Sequence, residues 1–230
     1  MVEVAVVKSE VVDSCYACDK PATSREHVPP QSFFPEGHRQ NLITVPSCAL
    51  HNNANSKDVE YTRNVISTFF GVNDVGQQHF LNKGMRSFEH TPALLQTTFA
   101  DIRPVNVRGV QVGAFTTDVE RVKAVMSACF TALHFREAGE KVQHWEIVLP
   151  NMGFSSSDTT QEQVAVWGQF LSLFGQMQFQ PRPVHSPEVF QYAVADIIGG
   201  RVYSMRFYKS FLVFGFKGAT PSTLTTEPTF

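Results

Sequence analysis

Three cysteines and a histidine stand at intervals that suit metal chemistry. Cys15 and Cys18 form a C-x-x-C pair and Cys48 and His51 a C-x-x-H pair, with 29 residues between the two pairs. Two such knuckles supply four soft or borderline ligands, the set a tetrahedral structural Zn²⁺ takes. Between and just after them lie Glu26-His27, Asn41 and Asn52, which a closed zinc site does not need. An acid, a base and amides inside a stapled loop point to chemistry beyond structure. A carboxylate and an amide oxygen can share a hard divalent cation, and an imidazole with a pKa near ~6.5 suits a general base.

These residues resemble the HNH endonuclease family, whose core is a ββα-metal (treble-clef) finger. The resemblance covers roughly residues 13 to 64 and rests on SREHVPP, on Asn41-Leu42 in QNLITVPSC, and on Asn52 in CALHN. Glu stands at 26 where the family more often has Asp, and His stands at 51 where it more often has Cys; both keep the ligand type. The resemblance implies a metal-dependent endonuclease acting on nucleic acid, with DNA the expected substrate. It assigns Cys15, Cys18, Cys48 and His51 to structural Zn²⁺, and Glu26 and Asn52 to a catalytic Mg²⁺ or Mn²⁺. His27 becomes the general base, and Asn41 the residue that holds the base loop and orients His27. In the run HNNANS, Asn52 is preferred as metal ligand because it directly follows the last zinc-type ligand; Asn55 is its competitor and Asn53 a weaker third. A different class of reading is a non-catalytic treble-clef zinc module that binds nucleic acid or a protein partner.

The elements that must position these groups follow from local pattern. SREHV and NLITV read as the two finger strands, and SKDVEYTRNVISTFF (56–70) as the finger helix, with Ser56 able to cap it and Val59, Ile66, Phe69 and Phe70 as its apolar face. Its N-terminus favours an approaching phosphate. Lys57 and Arg63 read either as phosphate-steering charges or as solvated ones. Residues 1–12 alternate loosely, as a short strand does. Gly71 to Gly76 is turn-like, and 77–100 reads as one or two helices broken near Pro92. VNVRGVQVGAF (105–115) alternates like a strand pair or one long strand. TTDVERVKAVMSACFTALHFREAG is the clearest helix: Thr117 and Glu120 are spaced as a capping box, Val122, Val125, Met126, Cys129, Phe130 and Leu133 form one stripe, and Gly139 stops it. A strand at HWEIVLP, a helix at QEQVAVWGQFLSLFGQM and three strands between 188 and 217 complete the chain. The fold class is therefore α+β, with a finger over 1–72 and a mixed helical and antiparallel-strand region over 73–230 for stability, dimerisation, target choice or a regulatory partner.

Composition sets outer bounds. A chain of 230 residues with 43% hydrophobic and 17% charged residues can bury a sizeable core. The 20 phenylalanines, mostly beyond residue 60, predict aromatic-rich packing. A formal net charge of −2 offers no global positive field for nucleic acid, leaving any such attraction to a local groove. Knuckle-spaced cysteines imply a reducing compartment, and neither a signal-peptide pattern nor an 18-residue apolar run occurs, so a cytoplasmic protein is expected. His38, His79, His90, His134, His144 and His185 have no partners at ligand spacing.

Overall fold

In the computed structural model the chain is described over residues 13–53, 56–107, 109–142, 144–150, 161–198 and 200–217. The expected strand at 1–12, the competing ligand Asn55 and the tail beyond Lys217 lie outside them. A short antiparallel pair, β1 (Ser24–His27) and β2 (Thr44–Ser47), is followed by α1 (Ala49–Asn53) and α2 (Ser56–Ser67). α3 (Asp74–His79) runs through a π turn at Phe80–Gly84 into α4 (Met85–His90), and Thr91 separates this from α5 (Pro92–Thr98). Next come the hairpin β3 (Arg103–Val107) and β4 (Val110–Ala114), then α6 (Val119–Ala138), β5 (Glu146–Val148) and α7 (Gln161–Gln176). The chain ends in β6 (Gln180–Pro181), β7 (Phe190–Ile197), β8 (Gly200–Phe207) and β9 (Phe211–Lys217). The class is α+β: five antiparallel strands in the order β5-β9-β8-β7-β6, with helices and two hairpins around them.

α6 joins the two halves. Its N-terminus is capped by Asp118, whose carboxylate accepts from the Arg121 amide, so the cap lies one residue beyond the expected Thr117. A carboxylate there also favours the positive helix end. Gly139 ends the helix at φ +70°, a conformation that costs glycine little. The stripe Val122, Val125, Met126, Cys129, Phe130 and Leu133 is buried throughout, and burying it contributes on the order of 10 kcal/mol before the conformational entropy is subtracted. Phe130 lies directly over Gly215 of β9, where a Cβ would come within 2.5 Å of its ring. On its other side α6 grips α2: Arg121 Nε donates to Asp58 at 2.6 Å, and its guanidinium sits 4.2 Å from the Tyr61 ring centre.

Aromatic rings carry much of the core. Phe33, in the loop after β1, meets Phe207 edge to face, and the Tyr208 hydroxyl donates to the Phe33 carbonyl at 2.6 Å. The buried core runs without a break from Cys15, Tyr16 and Val45 to Tyr203, Phe207 and Val213. Several local expectations shift. β2 begins at Thr44 rather than Asn41, because Asn41 takes a left-handed backbone (φ +49°) that breaks the extended run. α2 stops at Ser67 and leaves Phe70 exposed. The supposed turn up to Gly76 is already helical from Asp74, because Asn73 caps α3 by accepting from the Gly76 amide.

Candidate metal centre

Short-range hydrogen bonds build both knuckles. The Cys15 amide donates to Lys20 O, closing the loop that carries Cys15 and Cys18. The Cys48 carbonyl accepts from the His51 and Asn52 amides, which starts α1 and swings His51 back over Cys48. The β1–β2 pairing (Ser24 opposite Ser47, His27 opposite Thr44) brings the two knuckles together. From beyond α6, the Lys141 ammonium braces the first knuckle by donating to Cys18 O at 2.8 Å and to Asp19 at 2.9 Å.

The four ligand atoms lie within 4.8 Å of one another. His51 Nδ1 is 3.4, 3.6 and 3.3 Å from the sulfurs of Cys15, Cys18 and Cys48, and Cys18 Sγ is 3.9 Å from Cys48 Sγ. A tetrahedral Zn²⁺ with ordinary bond lengths sets ligand separations of about 3.6 Å for S to N and about 3.8 Å for S to S. The cluster is thus compatible with a structural zinc site. All three cysteines are free thiols. The His51 backbone N–H holds the Cys48 thiol down at about 6, toward the thiolate a metal binds.

Beside this cluster opens a cleft of about 480 Å³. Glu26 and His27 both line it although they are adjacent in β1, because the strand ends at His27 and the chain turns away through Pro29 and Pro30. His51, Asn52 and Ser56 form the wall nearest the cluster, and Val125, Ala128 and Cys129 of α6 line it too. Asn52 is exposed, and its amide nitrogen donates to Ser24 Oγ at 3.0 Å. Glu26 Oε2 accepts from Ser47 Oγ at 3.3 Å, and the Tyr16 hydroxyl donates to the same carboxyl. Burial raises the Glu26 pKa, while Tyr16, Ser47 and the charge of His51 oppose that rise. Tyr16 in turn stands edge-on to His51, with ring centres 6.1 Å apart. Burial raises its phenol, and the neighbouring Glu26 carboxylate raises it further.

Of the residues singled out from sequence, the structure brings Glu26, His27, Asn52 and the four zinc-type ligands to one place. Asn41 is elsewhere: it is exposed and lines a separate hollow of about 320 Å³ with Val28, Phe34 and Arg136. Its left-handed backbone is one that Asn tolerates better than most residues, a reason for Asn independent of chemistry. Asn55 lies outside the described residues, as does any view of the Asn53 side chain. Lys57 is exposed, but Arg63 is neither solvated nor at the surface; its side chain is buried in the cleft wall with Glu60 beside it. Glu60 and Tyr16 were not singled out from sequence. The signal for Glu60 was present, since Ser56, Glu60 and Arg63 fall at i, i+4 and i+7 on one helix face. His134 also has partners, with Tyr203 OH at 2.9 Å and Glu140 at 3.4 Å.

Comparison of the chain with protein-family models, with curated proteins and with solved structures gave no match. Among the described residues no helix is long and apolar enough to cross a membrane.

Proposed function

We infer that this protein is a metal-dependent endonuclease of the HNH type, hydrolysing phosphodiester bonds of nucleic acid, with DNA the expected substrate. The observation that carries the reading is the convergence of Glu26, His27 and Asn52 on one cleft whose wall also holds His51 of the Cys₃His cluster. In this reading the hairpin β1–β2 and α2 are the ββα-metal finger, stapled by Zn²⁺. The Glu26 carboxylate and the Asn52 amide oxygen are two hard donors that fit Mg²⁺ or Mn²⁺ and leave room for water and phosphate. When bound, such a cation supplies Lewis-acid stabilisation of charge on the phosphoryl and leaving oxygens. His27 takes the proton of the attacking water, whose oxygen joins phosphorus as the P–O bond to the leaving oxygen breaks. The Ser24 hydrogen bond fixes the Asn52 amide nitrogen and so sets which way its oxygen points.

One observation favours the non-catalytic zinc module. Glu26 is tied to Ser47 and Tyr16 and has its pKa raised by burial, as a structural carboxyl would. A single experiment separates the two readings. Purified protein is incubated with plasmid, oligonucleotides and RNA under Mg²⁺, Mn²⁺ or EDTA. Cleavage should stop in brief EDTA without unfolding and return with Mg²⁺ or Mn²⁺. His27→Ala should lower the rate by about 10² to 10⁴ at unchanged zinc content. Asn52→Ala should demand much more metal, and Asn55→Ala should matter less. Binding without cutting under every metal would give the answer to the zinc module.

A further inference from the structure

Arg63 is the charge whose position ordinary packing explains least. Its side chain is 4% exposed, yet it lies on α2 in the wall of the cleft that holds Glu26, His27 and Asn52. Nε and Nη2 donate to Asn64 Oδ1 at 3.2 and 3.0 Å, and Nη2 donates to Ser87 Oγ of α4 at 2.5 Å. These acceptors are neutral, so they aim the guanidinium without neutralising it. Among the described residues the single carboxylate within ion-pair distance is Glu60, 3.5 Å away with its side chain 39% exposed. That contact is longer than the ~2.7–2.9 Å of a charge-assisted hydrogen bond.

The surroundings are rich in charge of both signs. Glu60 also lines a second hollow, of about 940 Å³, with Arg39, Lys83 and Arg86 and with the acids Glu36 and Asp74. The Lys83 ammonium is pushed down by burial and then by Arg39 and Arg63, against the opposing pull of Glu36 and Glu60, so these cations stand close enough to repel one another. A guanidinium stays charged even when buried, and a buried charge without a close counter-ion is costly. An anion delivered to the cleft relieves that cost. A phosphodiester suits the place, since it is singly charged and a guanidinium whose Nε and Nη2 are held by Asn64 and Ser87 still has the two N–H groups of Nη1 to donate to its free oxygens.

We propose that Arg63 is the cleft's receptor for a phosphate of the substrate strand, and that Glu60 is the counter-ion it releases when that phosphate binds. This rests on the nuclease reading and deepens it. Asn64 and Ser87 pre-aim the guanidinium, and the exposed Glu60 swings into solvent at little cost.

The test is fluorescence anisotropy with a short labelled oligonucleotide and the full chain in EDTA, where binding is read without cleavage. Arg63→Gln should weaken binding about 10- to 100-fold, the range for a hydrogen bond to a charged group. Replacing one linkage at a time by a neutral methylphosphonate should find a position that weakens wild-type binding by a similar factor. At that position the substituted oligonucleotide and Arg63→Gln together should cost no more than either alone. Because Arg63 also braces α4, Glu60→Gln supplies a second reading at a half-exposed side chain: it should tighten binding several-fold in a protein that still folds, with melting lowered slightly by the lost counter-ion. Glu60→Gln with equal or weaker affinity, or fully additive losses for Arg63→Gln at every methylphosphonate position, overturns the phosphate-receptor assignment while leaving the nuclease reading intact. If wild-type protein binds no oligonucleotide at all, the nuclease reading falls and takes this assignment with it.

Discussion

Replacing Cys48 by alanine removes one thiolate from the Cys₃His cluster, and the cost can be estimated from the geometry. Four of the six ligand separations are 3.3 to 3.9 Å and all lie within 4.8 Å, compatible with one tetrahedral ion. At free metal about a thousand times Kd, a bound ion adds about 4 kcal/mol to the folded state. Structural zinc sites bind more tightly than that comparison requires, so about 4 kcal/mol is a lower bound. For a chain of this size each kcal/mol moves Tm by about 2–4 °C, which gives a fall of about 8–16 °C. The control is Cys129→Ala, a buried thiol on the apolar stripe of α6. It should cost only about 1 kcal/mol and keep the metal. Elemental analysis and thermal melting, each with and without chelator, read both quantities. Parent protein with no zinc, a Cys48→Ala protein that melts with the parent, or equal metal loss in both variants would refute the reasoning.

Two further outcomes follow from the geometry around the cleft. His79 is buried and its Nε2–H donates to Ser32 O at 3.0 Å; burial pulls its pKa from 6.5 down to about 4. Folding therefore favours the neutral ring, so the stability His79 contributes is complete above pH about 6.5 and is lost as pH falls toward about 4. A displacement of that size is worth about 3 kcal/mol, and His79→Gln should melt with a visibly flatter pH dependence across that window; an unchanged slope would contradict this. Arg121 ties α6 to α2 through Asp58, the Lys57 carbonyl and the Tyr61 ring, but its pair with Asp58 is about a third exposed. Arg121→Ala should thus cost about 1–2 kcal/mol in urea denaturation, less at high salt, and a salt-independent loss would mean that packing rather than charge holds the joint.

Much of the site was legible because it is written in short intervals. Ligand spacing within each knuckle, the strand SREHV that carries Glu26 and His27, and the amide after His51 are local facts, and the chain presents them in order. The long α6 was equally plain, since its stripe repeats at helical period and Gly139 marks its end. The three last strands could be read from alternation and turns, although their place between β5 and β6 could not, because short edge strands carry almost no pattern of their own.

What sequence determined on its own is therefore the set of donors, the class α+β and the elements whose periodicity exceeds two turns. Tertiary structure decided which charges are buried and which cleft each residue faces. Arg63 reads from sequence as either a phosphate-steering or a solvated charge; it is buried, with Ser87 of α4, 24 residues later, as one of its acceptors. Asn41, expected beside His27, lines another hollow, at a left-handed turn just before β2. Tyr16 and Cys129 meet at one cleft across more than a hundred residues, since α6 packs onto α2 and β2 on one side and the sheet on the other. Burial is a property of what covers a residue, and the covering element is chosen by long-range packing that no local interval encodes.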